Sequence, residues 1–515
     1  MHSARVAIIG AGVGGLSSAI GLASAGFDVT VFERATTPGG KLRQATLDGI
    51  ASDAGPTVFT LREVFEELFE DAGEHLERHI KLRPAGLLAR HAWRPGEHLD
   101  LHADVAQTSE AIRQFAGARE ADGFERFAAD ARRTYLTLRD TFIRAQRPSP
   151  FGLVQRAGIR GLRDLCGIQP FTTLWRRLDR YFRDPRLRQL FGRYATYCGS
   201  SPFCSPATLM LVSHVEQAGV WYIEGGMHRL ARSLASLAEA KGAVLRYGSG
   251  IARIHTHAGR VSAVETEAGE RCIADAVVCN ADGNALSCGL FGPDAVRATR
   301  PTLRTERSLS AITWNLVART SGFELAHHTV FFSADYRAEF DDIFRRGRAP
   351  ESPTIYVCAQ DRADAGLAAA KQNSPERLFC LINAPPNGDI HAFDHGELLS
   401  CENRVFDHLE KSGLRIERQP QAIRATSPAD FHRLFPGTGG ALYGPASHGW
   451  TASFKRTGSR TAIPGLYLAG GSAHPGPGVP MAAISGRLAA ASVMRDYASI
   501  GTSHPVAMPG GTLTR

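Results

Sequence analysis

The sequence predicts an α/β protein: a Rossmann-like dinucleotide-binding domain with a discontinuous α+β domain and a helical segment attached to it. Two observations lead to this fold class. A strand, a glycine-rich turn, a helix and a second strand occupy residues 5–32, and another strand, glycine loop and helix occupy residues 464–494. With 515 residues, 43% of them hydrophobic and 21% charged, the chain is typical of a globular protein with a large core. Disordered and fibrous classes are excluded.

The cysteine count and the hydropathy pattern narrow the cellular setting. Nine cysteines, an odd number with no CxxC pair, argue against a disulfide framework or a zinc knuckle, so no metal site is expected. No run of about 18 uncharged apolar residues occurs, and the first strand begins too early for a secretory signal peptide. We therefore expect a cytoplasmic protein without membrane-spanning segments.

The amino-terminal motif predicts binding of a dinucleotide. Gly10 allows a tight turn, Gly12 lets the backbone approach a pyrophosphate, and Gly15 permits close packing of the following helix. The amino terminus of that helix offers N–H groups to the anion. Glu33 ends the second strand, where a carboxylate can accept hydrogen bonds from both ribose hydroxyls and would repel a 2′-phosphate. These residues disfavour NADP but leave FAD and NAD open.

The next segment resolves this choice through a resemblance. Residues 38–41, Pro-Gly-Gly-Lys, and residues 53–57, Asp-Ala-Gly-Pro-Thr, resemble the segments that follow the first βαβ unit in flavoproteins of the amine oxidase and carotenoid desaturase superfamily. The resemblance implies FAD, with residues 40–41 along the phosphate and ribityl chain and residues 55–58 under the isoalloxazine. The cofactor residues that it implies in this part of the chain are Gly14, Arg34, Gly40, Lys41, Gly55, Pro56, Thr57 and Val58.

The carboxy-terminal motif predicts the other half of the cofactor site. A buried strand at residues 464–471 is followed by a glycine- and proline-rich loop and by a helix that opens with Pro480. The helix start presents N–H groups and a positive dipole end to an electron-rich group, and reduced flavin carries negative charge about N1 and the C2 carbonyl. The predicted contacts here are Gly470, Gly471, Gly478, Val479, Pro480 and Met481.

The amino-acid sequences of three segments narrow the resemblance further. Residues 465–480 resemble the flavin-binding signature of bacterial-type carotenoid desaturases, and residues 219–231 and 441–450 look more like the hydroxyneurosporene and methoxyneurosporene desaturases than phytoene desaturases. The resemblance spans essentially the whole chain. It also implies that Ile251 contacts the adenine and that Asn280 ends a strand beside the cofactor.

The function implied is FAD-dependent desaturation of an acyclic 1-hydroxy- or 1-methoxy-carotenoid, at C-3,4. The alternatives are a phytoene desaturase, another flavin amine or protoporphyrinogen oxidase, or a non-enzymatic isoprenoid-binding protein of the same fold. No catalytic base is assigned, because a polyene cation loses its proton readily and the cofactor carries the hard chemistry. Four side chains are conceivable proton acceptors but are better explained as structural: His214, Glu224, His448 and His474. The sequence does not identify the electron acceptor.

The motifs predict a discontinuous domain organisation. Residues 1–80, 215–288 and 440–500 form the expected FAD-binding domain, residues 81–142 and 289–439 the substrate-binding domain, residues 143–214 a helical docking or lid segment, and residues 501–515 a flexible tail. Aromatic residues at 331–332, 340 and 344 are expected to be core rather than tunnel wall. The adjacent His327 and His328 are not expected to form a metal pair, because neighbouring strand residues point to opposite faces.

A basic stretch predicts a membrane surface as a partner. Residues 143–193 hold twelve arginines and three acidic residues, and apolar residues between 174 and 191 recur at roughly helical spacing beside the arginines. Pro185 is expected to divide the helix. We expect this stretch to dock the enzyme on the inner face of an anionic membrane, against the alternative of an amphipathic helix packed on the core. Nucleic acid is not an expected partner.

Overall fold

The cofactor-side sheet is parallel and draws its strands from distant parts of the chain. A computed structural model describes residues 3–146, 149, 152, 155, 167–169, 171–362 and 374–501. In spatial order the five strands are Val244–Arg246, Asp28–Phe32, Arg5–Ile9, Ala276–Cys279 and Leu466–Leu468. All neighbours run parallel, so both faces must be covered, and the strands are accordingly rich in buried valine and isoleucine.

Each face of this sheet is covered by a different layer. One face carries the helices Val13–Ser24, His228–Ala240 and Val479–Gly501, which pack on one another over the largest apolar core. The other face carries an antiparallel sheet of three strands, Ile251–His257, Arg260–Thr266 and Arg271–Ile273. The end of the sheet where the glycine loops lie borders the cavity described below.

A second, mixed sheet of eight strands lies beside the first. Its main path is Leu414–Glu417, Ser310–Gly322, Glu376–Ala384, Ile355–Ala359, His328–Phe331, Leu87–Arg94 and Glu97–His102, and Ile423–Thr426 pairs with Ser310–Gly322. The helix His395–Lys411 covers one face of this sheet, over a core that contains the fully buried Trp314. Two smaller units occur in the sequence among the strands of the large sheets. One is a hairpin of Gln44–Leu47 and Ile50–Asp53, and the other is a sheet of Phe59–Thr60, Val220–Ile223 and Leu82–Pro84.

The remaining helices are mostly short. The α-helices not yet named are Arg62–Asp71, Leu76–His79, Val105–Ala116, Ala118–Leu138, Leu174–Leu178, Pro185–Gly192, Leu211–Gln217, Gly283–Ser287, Tyr336–Asp341, Pro428–Leu434 and Ala452–Lys455. Single 3₁₀ or π turns occupy Arg139–Ile143, Arg193–Cys198, Ala207–Met210, Pro293–Ala298, Arg304–Glu306, Asp342–Arg346, Gln360–Arg362 and Pro420–Ala422. Within the described ranges, no helix is long and apolar enough to cross a bilayer.

The strands of the parallel sheet fall in the three segments expected for the FAD-binding domain. Those of the mixed sheet fall in the two segments expected for the substrate-binding domain. The expected domain bounds themselves remain a prediction. Of the tail expected at 501–515, Gly501 ends a helix and residues 502–515 lie outside the described residues.

The prediction that the apolar stripe faces a membrane is wrong. Pro185 does separate two helices, with the Asp184 side chain capping the second. All but one of the residues of this stripe are buried: Leu174, Leu178, Tyr181, Phe182, Leu187, Leu190 and Phe191. The exception, Trp175, is partly buried against another apolar cluster. The stripe packs on Phe124 and Phe127 of the long helix Ala118–Leu138, whose own apolar face needs a partner. The periodicity was that of an amphipathic helix on a core, which sequence spacing alone does not distinguish from one on a bilayer.

Several arginines of the basic stretch are also committed within the protein. Arg177 pairs with Asp130 at 2.9 Å, Arg186 with Glu97, and Arg188 with Asp179 at 2.6 Å. Arg176, Arg180 and Arg183 are exposed, and the arginines at 147, 156, 160 and 163 lie outside the described residues.

Candidate functional site

The amino-terminal glycine turn brings three chain segments into close contact. A Cβ added to Gly12 would lie 2.7 Å from the Asn280 amide nitrogen, and one added to Gly14 would lie 2.8 Å from the Gly470 backbone nitrogen. The Cβ of a residue at 15 would lie 2.1 Å from the Gly10 carbonyl oxygen. Gly12 caps the helix Val13–Ser24 without a side-chain hydrogen bond, so the first N–H groups of that helix remain available to an anion.

Glu33 is anchored at the edge of this turn. Its Oε2 accepts the Ala11 N–H at 2.7 Å, and its Oε1 accepts the Ala35 N–H at 2.8 Å. A carboxylate has about four acceptor positions, so two remain for ribose hydroxyls. Beside it, Arg34 is tied down by donating to the Leu434 carbonyl at 2.7 Å.

The Gly-Gly-Lys segment packs against the same turn. A Cβ on Gly40 would lie 3.3 Å from the Gly12 Cα, and one on Gly55 would lie 1.9 Å from the Lys41 carbonyl oxygen. The Lys41 ammonium donates to the Leu442 carbonyl at 2.6 Å, and burial lowers its pKa. Its charge therefore faces the carboxy-terminal loops rather than the glycine turn.

Asp53 holds the loop that contains Gly55 in place. Its carboxylate accepts the backbone N–H groups of Met227 at 2.6 Å and His228 at 3.2 Å. Burial raises the pKa of this carboxyl, and the two backbone hydrogen bonds partly offset the rise. The acid of the Asp-x-Gly motif thus ties this loop to the start of the helix His228–Ala240.

The carboxy-terminal loop closes the site from the opposite side. Asn280 lies between the two glycine motifs: its Nδ2 donates to the Gly10 carbonyl at 3.3 Å, while its buried Oδ1 has no hydrogen-bond partner. Arg456, which sequence reasoning missed, donates to the Pro445 carbonyl at 2.6 Å and the Tyr443 carbonyl at 3.2 Å. Burial lowers its pKa to about 10. No motif surrounds this arginine, so nothing in the sequence pointed to it.

One continuous cavity of about 1320 Å³ joins these motifs. All the predicted cofactor residues line it except Gly15, which is buried and shapes the turn: Gly10, Gly12, Gly14, Glu33, Arg34, Gly40, Lys41, Gly55, Pro56, Thr57, Val58, Ile251, Asn280, Gly470, Gly471, Gly478, Val479, Pro480 and Met481. Ligand pockets usually measure about 300–1,000 Å³, so this cavity has room for a dinucleotide and a second ligand. Free helix N–H groups, the orphaned Asn280 Oδ1 and the glycine-lined walls fit FAD.

The rest of the cavity wall is mainly apolar but contains one polar cluster. Leu138, Phe142, Leu209, Val212 and similar side chains form most of this wall. The polar cluster consists of Arg193, Tyr197, Glu216 and Tyr356, to which Thr57 is hydrogen-bonded through Tyr356. Sequence reasoning treated Arg193 only as part of the basic stretch and did not select the other three.

The four conceivable proton acceptors all lie outside the lining of the cavity. His214 packs beside Tyr135, and Glu224 lies within 4.0 Å of Lys81. His448 accepts the Ser201 N–H at 3.0 Å, and burial lowers its pKa to about 4. His474 is buried edge-on against Phe142. Assigning none of them a catalytic role agrees with this placement.

Two expectations about the middle of the chain have opposite outcomes. Phe331, Phe332 and Phe340 are buried core residues, as expected, whereas Phe344 is only partly buried and packs against the cluster that contains Phe340. The argument that His327 and His328 point apart is wrong, because His327 precedes the strand His328–Phe331 and the two ring centroids are 4.4 Å apart. With Cys358 they form a buried group whose ligand atoms lie within 4.8 Å of one another. Burial raises the Cys358 pKa far above its usual range, which disfavours the thiolate that a metal needs.

Comparison with known proteins defines the class. Residues 13–494 match the model for flavin containing amine oxidoreductases, and the chain belongs to that family. It is a flavin-dependent oxidoreductase, and the predicted cofactor, FAD, is confirmed at this level.

Individual relatives narrow the comparison. The chain is 53% identical to a hydroxyneurosporene desaturase of Rubrivivax gelatinosus over 516 residues, covering all of this chain and 98% of the relative. It is 46% identical to a hydroxyneurosporene desaturase of Cereibacter sphaeroides, covering 96% of this chain and 98% of that one. Among solved structures, an oxidoreductase from Methanosarcina mazei matches with a TM-score of 0.58 at 16% identity, over 95% of this chain and 100% of that chain, which shows the shared fold.

Proposed function

We propose that the protein introduces a C=C bond, at C-3,4, into an acyclic 1-hydroxy- or 1-methoxy-carotenoid such as hydroxyneurosporene, with FAD as the oxidant. The observation that carries this proposal is the cavity, in which the dinucleotide motifs and an apolar extension share one continuous wall. Full-length similarity to two hydroxyneurosporene desaturases supports the substrate class. The apolar extension of the cavity favours a long hydrocarbon as the substrate over a small amine.

The proposed cofactor placement follows from the anchored groups. Glu33 would bind the adenine-side ribose, the turn at Gly10 and Gly12 would face the pyrophosphate, and residues 55–58 would lie along the isoalloxazine. The start of the helix Val479–Gly501 would lie at the pyrimidine end of the isoalloxazine ring, where its dipole would favour the reduced form. Bound FAD supplies hydride acceptance.

The protein's part in the reaction is placement and exclusion of water. Desaturation removes a hydride from one carbon and a proton from its neighbour, and the two electrons of the second C–H bond form the new double bond. Apolar side chains such as Leu138, Phe142 and Val212 hold the polyene without offering a competing nucleophile. Among the described residues, no histidine lines the cavity, and Glu216 is the one carboxylate of the polar cluster.

Expression in cells that accumulate neurosporene or its 1-hydroxy derivative, followed by pigment chromatography, tests this function. The expected product has a longer conjugated chain and absorbs at longer wavelength. Cells that accumulate phytoene serve as the comparison. Conversion of phytoene without conversion of the hydroxylated pigment would identify a phytoene desaturase instead.

We also propose that the enzyme docks on the inner face of an anionic membrane, at the mouth of the cavity. Phe171 is 76% exposed and Trp450 is 44% exposed, their rings lie 5.2 Å apart, and both line the cavity. The exposed arginines at 176, 180 and 183 add positive charge on nearby segments of the chain. This arrangement combines apolar anchors with basic residues, the two features that hold peripheral proteins on acidic lipid.

Cosedimentation with acidic liposomes tests the docking proposal. Replacing Phe171 and Trp450 with serine is expected to weaken binding, and replacing the three exposed arginines with glutamine is expected to weaken it mainly at low salt, because salt screens exposed charge. The paired Arg188, changed to glutamine, is the control. Unaltered binding by both variants would place the docking face elsewhere.

A further inference from the structure

Arg193 is an unusual side chain for the wall of an apolar cavity. It follows the helix Pro185–Gly192 and begins the 3₁₀ turn Arg193–Cys198, which directs it to the cavity. Its Nη1 donates to the Tyr197 hydroxyl at 3.2 Å. Within the described part of the chain, no carboxylate lies at ion-pair distance from this guanidinium, and its other N–H groups have no hydrogen-bond partner.

The neighbours of Arg193 hold it in place and keep it charged. The Tyr197 hydroxyl donates to Glu216 Oε1 at 2.6 Å, and Tyr194 donates to Oε2 at 2.7 Å. Burial lowers the Arg193 pKa, but the nearby Tyr197 and Glu216 raise it by more, so the guanidinium stays protonated. Burial likewise raises the Tyr197 pKa, so its hydroxyl stays a donor. Both Glu216 oxygens are engaged by tyrosines, whereas Arg193 retains unused donors.

The cluster lies one side chain from the predicted flavin face. The guanidinium carbon is 5.7 Å from the centroid of the Tyr356 ring, and the Tyr356 hydroxyl is 2.7 Å from Thr57 Oγ1. Thr57 belongs to the segment expected along the isoalloxazine. In a 1-hydroxy- or 1-methoxy-carotenoid the oxygen is three covalent bonds from C-3, roughly 3 to 4 Å away. A substrate with C-3,4 at the flavin therefore brings its oxygen near this cluster.

We propose that Arg193, held by Tyr197, donates a hydrogen bond to the oxygen at C-1 of the substrate and so selects oxygenated carotenoids over hydrocarbons. This inference rests on the proposed function. Arginine donates but does not accept, so a hydroxyl and a methoxy oxygen serve equally as its partner. A hydrocarbon end in the same place leaves a desolvated guanidinium unpaired, which is the strong form of discrimination against a substrate that lacks a polar group.

The test compares three carotenoids with the FAD-loaded enzyme and its Arg193→Met variant. The pigments are a 1-hydroxy-carotenoid, its 1-methoxy ether, and the hydrocarbon neurosporene. Dissociation constants come from quenching of flavin fluorescence, and kcat/KM from pigment chromatography. Arg188→Met is the matched control, because Arg188 lies on the preceding helix and pairs with Asp179 away from the cavity lining.

The expected result is a selective loss. A hydrogen bond from a charged donor corresponds to about 10- to 100-fold in affinity or kcat/KM. Arg193→Met should lower the affinity and kcat/KM for both oxygenated pigments by that factor, to a similar extent for each. Neurosporene should bind to the variant as well as to the wild type, or better. Arg193→Lys should recover part of the preference. A loss for the hydroxyl alone, with the ether unaffected, would overturn the proposal, because it would indicate an acceptor such as Glu216.

Other outcomes separate this inference from the proposed function. If the wild type prefers oxygenated pigments and Arg193→Met keeps that preference, the function stands and the role of Arg193 is refuted. An equal loss for all three pigments with FAD still bound would assign Arg193 to cavity structure and would also refute it. A wild type that neither binds nor converts any of the three overturns both.

Discussion

Replacing Glu33 with alanine tests the dinucleotide site most directly. The change removes the predicted acceptor for two ribose hydroxyls, and each hydrogen bond to a charged group is worth about 1.5 to 3 kcal/mol. It also frees the N–H groups of Ala11 and Ala35, which the carboxylate now holds at 2.7 and 2.8 Å. Because Ala11 lies inside the glycine turn, the pyrophosphate contacts should loosen as well.

We expect the dissociation constant for FAD to rise at least about tenfold if one ribose hydrogen bond is lost, and at least about 100-fold if both are lost in full. Titration of apoprotein with FAD, followed by flavin fluorescence, measures this. Glu33→Gln keeps an acceptor but not the charge, so its dissociation constant for FAD should lie between those of the wild type and Glu33→Ala. Asp28→Ala is the control, because Asp28 is an exposed acid at the start of the strand that Glu33 follows. Unchanged FAD affinity in Glu33→Ala would show that the fingerprint has been misassigned.

Two further predictions concern stability. Gly15→Ala should destabilise the fold and weaken FAD binding, because the new Cβ would lie 2.1 Å from the Gly10 carbonyl oxygen. Gly21→Ala on the same helix, whose Cβ would meet Ala490 at 3.4 Å, should be neutral or slightly stabilising in thermal unfolding. Burial lowers the pKa of His91 to about 3, so its neutral form stabilises the fold above the unfolded pKa near 6.5, and this contribution is lost as the pH falls toward 3. Between pH 7 and pH 5 the loss should be roughly 2 kcal/mol, and His91→Phe should reduce that drop in denaturant unfolding; an equal drop in the variant would contradict the assignment.

The sequence pointed to one half of the cavity because most of the residues that line this half act through the backbone, and their contacts with FAD stay a prediction. Gly12, Glu33 and Gly470 are required by turn geometry and helix ends, which are local and carry a readable spacing. The substrate half depends on side chains that meet only after folding. Arg193, Glu216 and Tyr356 come from three separate elements, and no local pattern links them.

The basic stretch shows the opposite limit of local reasoning. Periodicity correctly indicated two amphipathic helices divided at Pro185. It did not indicate what covers them, because the partner helix Ala118–Leu138 lies far enough away in sequence to leave no trace in the spacing. The exposed Phe171 and Trp450 likewise come together from opposite parts of the chain.

The order of strands in the parallel sheet has a consequence for biosynthesis. Its edge strand Leu466–Leu468 and the helix Val479–Gly501 are made after the other four strands, yet that helix packs on the helix Val13–Ser24, where Ser18 donates to the Gly486 carbonyl 468 residues away. On the ribosome the glycine turn is therefore translated long before its counterpart, and such non-local contacts form slowly. The parallel sheet therefore cannot be completed until residues 466–468 have been translated. A truncation before residue 464 removes this strand and helix, so the shortened protein should fail to bind FAD in a flavin titration.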